Sequence, residues 1–230
     1  MTSLLYLQDT YRFEFSWIIT ETWENEHGKY IILDQTIFYP QWGGQPSDTG
    51  MISSESGIFE VKMVRMDEHG VVYHYGEYLT GKFEVDESVS LKIDTDRRLL
   101  NARNHSAWHL IDIAMRNIWL VYMTPTKWYH FSDWPYVEYS GSLKEPIEWI
   151  IPKLQNELDK LIDRDIKMII EYDTQVKSPE VKTPKYAHFE GYEWCGCGGT
   201  HVRSSGEIEK VLIRKVKMKD GNMRVSYSTI

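Results

Sequence analysis

The hydrophobic period of this chain changes once, near Asp94. Before that point apolar and polar residues alternate in short runs; after it, apolar residues recur at helical spacing. Such a chain has to fold as a strand-built part followed by a part containing long helices. In the first part Tyr11–Trp17 alternates aromatic and polar residues. Phe59, Val61 and Met63 alternate with Glu60, Lys62 and Val64, and Val89, Leu91 and Ile93 alternate with Ser90 and Lys92. Turn chemistry punctuates these runs at His27-Gly28, Asp48-Thr49-Gly50, His69-Gly70 and Thr80-Gly81. Several short strands without a long helix predict a small, barrel-like domain.

From Arg97 to about Tyr122 the pattern is helical, with Leu100, Ala107, Leu110, Ile111, Ala114 and Ile118 in register. Asp94 or Asp96 caps its start, and Pro125 lies beyond its end. A second helix is expected between about Pro146 and Arg164, with Leu154, Leu158 and Leu161 on one face; Pro152 either kinks it or sets its beginning. Ile166–Tyr172 and Ala187–Glu193 read as strands. The chain closes on a hairpin, Val211–Met218 and Met223–Ser228, around Asp220-Gly221. The expected fold class is therefore α+β: a β-barrel-like domain over residues 1–95, then an α+β domain over residues 96–230.

Composition narrows the setting. No run is apolar for long enough to span a bilayer, and Gln8, Asp9 and Arg12 interrupt any signal-peptide core. Cys195 and Cys197 are the only cysteines, one residue apart, which suits a reducing cytoplasm better than a disulfide framework. Nothing in the sequence signals an obligate protein partner. A formal charge of −8 argues against a protein that coats nucleic acid nonspecifically. The charge is unevenly spread, however: from Val202 onward there are seven basic residues and three acidic ones. Lys215, Lys217 and Lys219 alternate and would share one face of a strand, either as phosphate contacts or as a plain basic outer surface. Nine Trp and 15 Tyr residues serve equally for cores or for stacking on bases and ribose.

The chemistry-bearing pattern comes in two halves. His105 and His109 sit four apart on the first helix and so project from one face. Far along the chain, Cys197-Gly198-Gly199-Thr200-His201 repeats that spacing, with glycines that let the backbone turn sharply. Each half is a weak signal alone. Together they offer one thiolate and three imidazoles, a set that suits tetrahedral zinc. Ser106 stands where the helix motif of metalloproteases needs its glutamate base, which disfavours that chemistry. Four protein ligands fit a structural zinc, and an open position would fit a catalytic one.

These residues resemble a known family. His105-Ser106-Ala107-Trp108-His109-Leu110 is similar to the His-Thr/Ser-Ala-x-His-Leu motif of alanyl-tRNA synthetase editing domains and of the free-standing alanyl-tRNA editing (AlaX) proteins. Cys197-Gly-Gly-Thr-His201-Val202 matches their second motif. Leu33–Gly50, containing Phe38-Tyr39-Pro40 and Gly43-Gly44-Gln45-Pro46, resembles their glycine-rich N-terminal signature, with Trp42 where that family usually has Gly or Ser. Ile213–Val225 resembles their basic terminal hairpin. The resemblance runs along nearly the whole chain, and the N-terminal part points to the medium-length form.

What the resemblance implies is a zinc-dependent deacylase acting on mischarged alanine tRNA at its acceptor end, removing serine and possibly glycine. It carries the zinc ligands to His105, His109, Cys197 and His201, and contact with the serine hydroxyl to Thr36. Gln45 becomes a candidate hydrogen-bond donor to the ribose or acceptor end, or part of a tight inter-strand loop. Cys195 receives no role, and Asp112 is either an acceptor that orients His109 or a helix-surface residue. Two rival readings follow from the same residues: a noncatalytic, zinc-stabilised RNA-binding module, and a hydrolase editing a different misacylated tRNA.

Overall fold

The computed structural model describes residues 1–120, 122–141, 143, 146–172 and 185–230. The chain divides into two units: Met1–Trp42 with Pro46–Leu99, and Gly43–Gln45 with Leu100–Ile230.

The first unit holds eight strands: β1 (Ser3–Leu4), β2 (Glu14–Asn25), β3 (Gly28–Leu33), β4 (Gln35–Thr36), β5 (Gly50–Ser53), β6 (Gly57–Met66), β7 (Val72–Gly81) and β8 (Ser88–Ile93). Six of them close a barrel in the order β2-β3-β7-β6-β5-β8, while β1 and β4 form a short parallel pair. Closure leaves the barrel strands no free edge. Its interior is apolar, built from Ile19, Ile31, Leu33, Ile52, Phe59, Val61, Val89 and Leu91 among others.

Strand β8 alternates as its sequence predicts, with Val89, Leu91 and Ile93 inward and Ser88, Ser90 and Lys92 exposed. Strand β6 departs from the expected pattern. Its register shifts between Val61 and Met63, so Val64 takes the inward position and Met63 packs outside with Tyr30, Ile32 and Tyr75. A bulge adds one residue to a strand and reverses the faces beyond it, which simple alternation does not foresee. Thr80-Gly81, expected as a turn, instead forms the end of β7. The first unit also buries an ion pair. The Arg98 side chain reaches both Asp48 oxygens through Nε (3.1 and 3.0 Å) and donates to the carbonyls of Thr10 and Ile37.

Helix α1 (Thr95–Asn117) carries the chain from the first unit into the second. Asp94 is its cap, accepting from the Arg97 amide at 3.0 Å. The helix stops at Asn117, short of the expected Tyr122. Trp119 adopts φ 70°, and the amides of Trp119 and Leu120 fold back on the carbonyls of Arg116 (3.1 Å) and Met115 (2.9 Å). This is the Schellman closure usually made with glycine, here made with tryptophan.

Beyond it lie β9 (Thr124–Tyr129), β10 (Tyr136–Ser140), α2 (Ile147–Asp163), β11 (Met168–Tyr172), β12 (Lys185–Phe189), β13 (Cys195–Gly196), β14 (Val211–Lys219) and β15 (Asn222–Thr229). They form a four-stranded sheet, β14-β15-β10-β9, and a three-stranded one, β11-β12-β13. Strands β9 and β10 fall in a stretch without a regular apolar period. Helix α2 starts at Ile147 and runs through Pro152, burying Ile150, Leu154, Leu158 and Leu161. These residues, the α1 side chains Leu110, Ile111 and Ala114, and Val137, Val216 and Val225 of the larger sheet share one core. Asp220 and Gly221 both take positive φ (51° and 81°), as a tight two-residue hairpin turn requires. Among the described residues no helix is long and apolar enough to cross a membrane.

Candidate metal centre

The two half-motifs converge within the second unit. One ligand atom from each of His105, His109, Cys197 and His201 lies within 4.8 Å of all the others. His105 Nε2 is 2.9 Å from Cys197 Sγ, and His109 Nε2 is 3.1 Å from His201 Nε2. Around a tetrahedral zinc with ordinary bond lengths the ligand atoms sit about 3.3–3.8 Å apart, so this is a set of the right size.

Helix α1 supplies the first pair from one face. The second pair comes from the loop after β13, and that loop is tightly held. A Cβ on Gly199 would lie 2.3 Å from His105 Cε1, so only glycine lets the loop come this close. Thr200, beside His201, is gripped by Gln45: Gln45 Nε2 donates to Thr200 Oγ1 (2.9 Å) and the Thr200 amide donates to Gln45 Oε1 (3.2 Å). Lys185 donates to the Gly199 carbonyl at 2.7 Å. Gln45 is therefore fully buried and joined to the loop that bears two of the four donors.

Electrostatics make these groups good ligands. Burial, with the neighbouring histidines and Lys185 adding to it, holds His105 well below the ordinary histidine range. Burial, then Lys185, lowers His109 to about 3, and the same two causes lead the depression of His201. All three imidazoles are thus neutral near pH 7, each with a lone pair to offer. Burial pushes the Cys197 thiol up to about 12, a state that a bound divalent cation reverses by displacing the proton. The donor set fits zinc by size and by chemistry.

Other residues singled out by the sequence lie as follows. Cys195 pairs with Ala187 in the small sheet and is not among the four converging donors. Asp112 bonds Arg116 at 3.2 Å, one turn along α1. Trp42 is 45% exposed, which accommodates its bulk at the surface of the first unit. Thr36, in the first unit, is fully buried; its Oγ1 accepts from the Phe38 amide (3.0 Å) and lies 2.7 Å from His74 Nε2. His74 Nδ1 faces the Ile31 carbonyl at 2.9 Å, which only accepts, so Nδ1 carries the hydrogen and Thr36 donates to Nε2. Burial lowers His74 to about 4, consistent with that neutral tautomer. Lys215, Lys217 and Lys219 pair in unbroken register with Ser226, Arg224 and Asn222, past the bulge in β14, and so share one face.

Sequence reasoning passed over His130, which follows β9 and is fully buried. Its ring centroid is 4.6 Å from that of His105. Burial, then His109, lowers it to about 3. Its flanking Tyr129 and Phe131 gave no ligand spacing by which it could have been found.

The chain is similar to proteins of known name. The family model for class II (A) tRNA synthetases matches residues 15–97. The chain is 30% identical over 248 residues to the alanyl-tRNA editing protein AlaX-M of Methanosarcina mazei, covering 100% of this chain and 97% of that one. It is 29% identical to the AlaX-M protein of Saccharolobus solfataricus, over 99% of both. It is also 32% identical over 202 residues to the alanine–tRNA ligase of Fervidobacterium nodosum, spanning only 22% of that ligase's length.

Proposed function

We propose a function for this chain from one premise: it belongs to the alanyl-tRNA editing family, AlaX, in its medium-length form. It is a hydrolase that cuts the ester joining a wrong amino acid, serine first and glycine second, to the acceptor end of alanine tRNA. The observation that carries this reading is the convergence of His105, His109, Cys197 and His201 on one small volume. Zinc held by these four residues would supply Lewis-acid polarisation to the ester or its attacking water.

The chain's own residues do the rest. Gln45 steadies Thr200 and with it the loop that carries Cys197 and His201. Thr36, whose hydroxyl hydrogen is committed to His74, has a remaining lone pair and is held as an acceptor for the serine hydroxyl. Alanine would leave that acceptor unpaired, and sites of this type discriminate by about 10⁴-fold. Lys215, Lys217 and Lys219 hold tRNA phosphates, which secures ground and transition states alike.

Deacylation rates on alanine tRNA charged in turn with serine, glycine and alanine test the reading. Serine should be removed fastest and alanine spared. Changing the three lysines to Ser should raise KM more than it lowers kcat. Zinc and tRNA binding without hydrolysis of any ester would make the chain a noncatalytic RNA-binding module instead.

A further inference from the structure

One buried polar atom beside the donor set has a fixed character that the four ligands do not explain. His130 Nδ1 lies 2.9 Å from the Tyr227 hydroxyl, and that hydroxyl lies 2.8 Å from the Asn104 carbonyl. A carbonyl only accepts, so the single Tyr227 hydrogen goes to Asn104. The His130–Tyr227 bond then needs its hydrogen from His130, which fixes the imidazole as the Nδ1–H tautomer. Asn104 is itself held, its Nδ2 donating to the His130 carbonyl (3.3 Å) and its Oδ1 accepting from Thr229 (2.7 Å). The His130 amide donates to the Gly44 carbonyl at 2.8 Å. Ring and backbone are both anchored.

The consequence falls on the other nitrogen. His130 Nε2 carries a lone pair, is buried, and has no hydrogen-bond partner among the described residues. A buried acceptor left open is costly, so a partner that arrives with the substrate would recover that cost. No carboxylate joins the four converging donors among the described residues, and Asp112 is bonded to Arg116. The open acceptor in contact with the centre is an imidazole.

We infer that His130 is the residue that accepts a hydrogen bond from the attacking water, through Nε2, with Tyr227 and Asn104 fixing the tautomer that makes this possible. The inference rests on the hydrolase reading and adds to it a residue outside the ligand set. Fixing a water in line for attack lowers the barrier by orientation alone.

The test combines an NMR measurement with kinetics. Long-range ¹H–¹⁵N correlation on the zinc-loaded wild-type chain should show His130 with hydrogen on Nδ1 and none on Nε2. His130→Met keeps bulk but removes the acceptor; it should lower kcat on the order of 10²-fold with little change in KM. The loss should be equal for serine and glycine esters, and zinc content and melting temperature should stay as in wild type. His130→Gln, which returns an acceptor near the Nε2 position, should recover part of kcat. Tyr227→Phe should lose less and show mixed tautomers.

An Nε2–H tautomer in the wild-type chain overturns the inference, as does an unchanged kcat in His130→Met. A loss confined to the serine ester overturns it too, because the acceptor would then serve the substrate hydroxyl and not the water. Loss of zinc in His130→Gln would make the residue part of metal binding and likewise overturn it. A wild-type chain that cleaves no ester defeats the hydrolase reading itself, a different result from an active wild type with an indifferent His130.

Discussion

In the first unit, Arg98 has Asp48 and two carbonyls, and His74 sits between Thr36 and the Ile31 carbonyl. In the second, Asn101 Nδ2, His105 Nδ1, Trp108 Nε1, His130 Nε2, Tyr139 OH and His188 Nε2 are buried without hydrogen-bond partners among the described residues. None of the buried side-chain atoms left open belongs to the barrel unit. Buried polar networks that are closed specify a fold, whereas open ones lower stability until something binds. The two units thus differ in their buried polarity: the barrel's groups close on one another, whereas the atoms left open in the second unit include His105 Nδ1 and His130 Nε2 at the converging donors.

That contrast can be broken most severely at the thiols. Cys197→Ala should abolish deacylation and leave the unfolding of the barrel unit untouched, while Cys195→Ala keeps most of the activity. Zinc content and rates of the two variants side by side decide it, and equal losses would mean that the second thiol also serves the site.

Next in size is the barrel's ion pair. Arg98→Leu strands Asp48 as a buried charge, and removing one partner of such a pair costs about 3–5 kcal/mol. Urea titration should show that loss as a lower midpoint, with the folded fraction still binding zinc. A cost under about 1 kcal/mol would show that water reaches Asp48 and that the barrel's interior is less closed than its hydrogen bonds suggest.

The smallest effect is in pH. His74 has a folded value of about 4, below the ordinary value of 6.5, so only the unfolded chain takes up its proton between those limits. Its contribution is complete above about pH 6.5 and is lost as pH falls toward 4, to a total of about 3 kcal/mol. The difference in stability between wild type and His74→Gln, followed from pH 7 to 4, should shrink over that window. A difference independent of pH would mean that His74 is charged, or open to water, in the folded barrel.

How much of this was legible in the sequence depended on the range over which each feature is determined. The alternation of Val89, Leu91 and Ile93, a cap at Asp94 or Asp96 and the Asp220-Gly221 turn are set by neighbours in the chain and were readable, with the structure choosing Asp94 as the cap. So were the donors, because His105 with His109 and Cys197 with His201 are each local pairs. The bulge after Val61 was hidden, since pairing with β7 and not composition decides where a strand gains a residue. Strands β9 and β10 carry aromatic and charged residues in no clean period, and their pairing with each other, and of β10 with β15, orders them. Arg98 finds Asp48 across 50 residues, and His130 finds Tyr227 across 97. Neither partner is signalled near the residue that needs it.

The separation of the donors has a consequence in time. His105 meets Cys197, and His109 meets His201, each across 92 residues. At a synthesis rate of about 5–20 residues per second, the helix half of the centre leaves the ribosome roughly 5–18 s before the loop half exists. During that interval a growing chain presents only two of the four converging donors, His105 and His109, and neither Cys197 nor His201. An ion held by all four donors would therefore be acquired only after Cys197 and His201 have emerged.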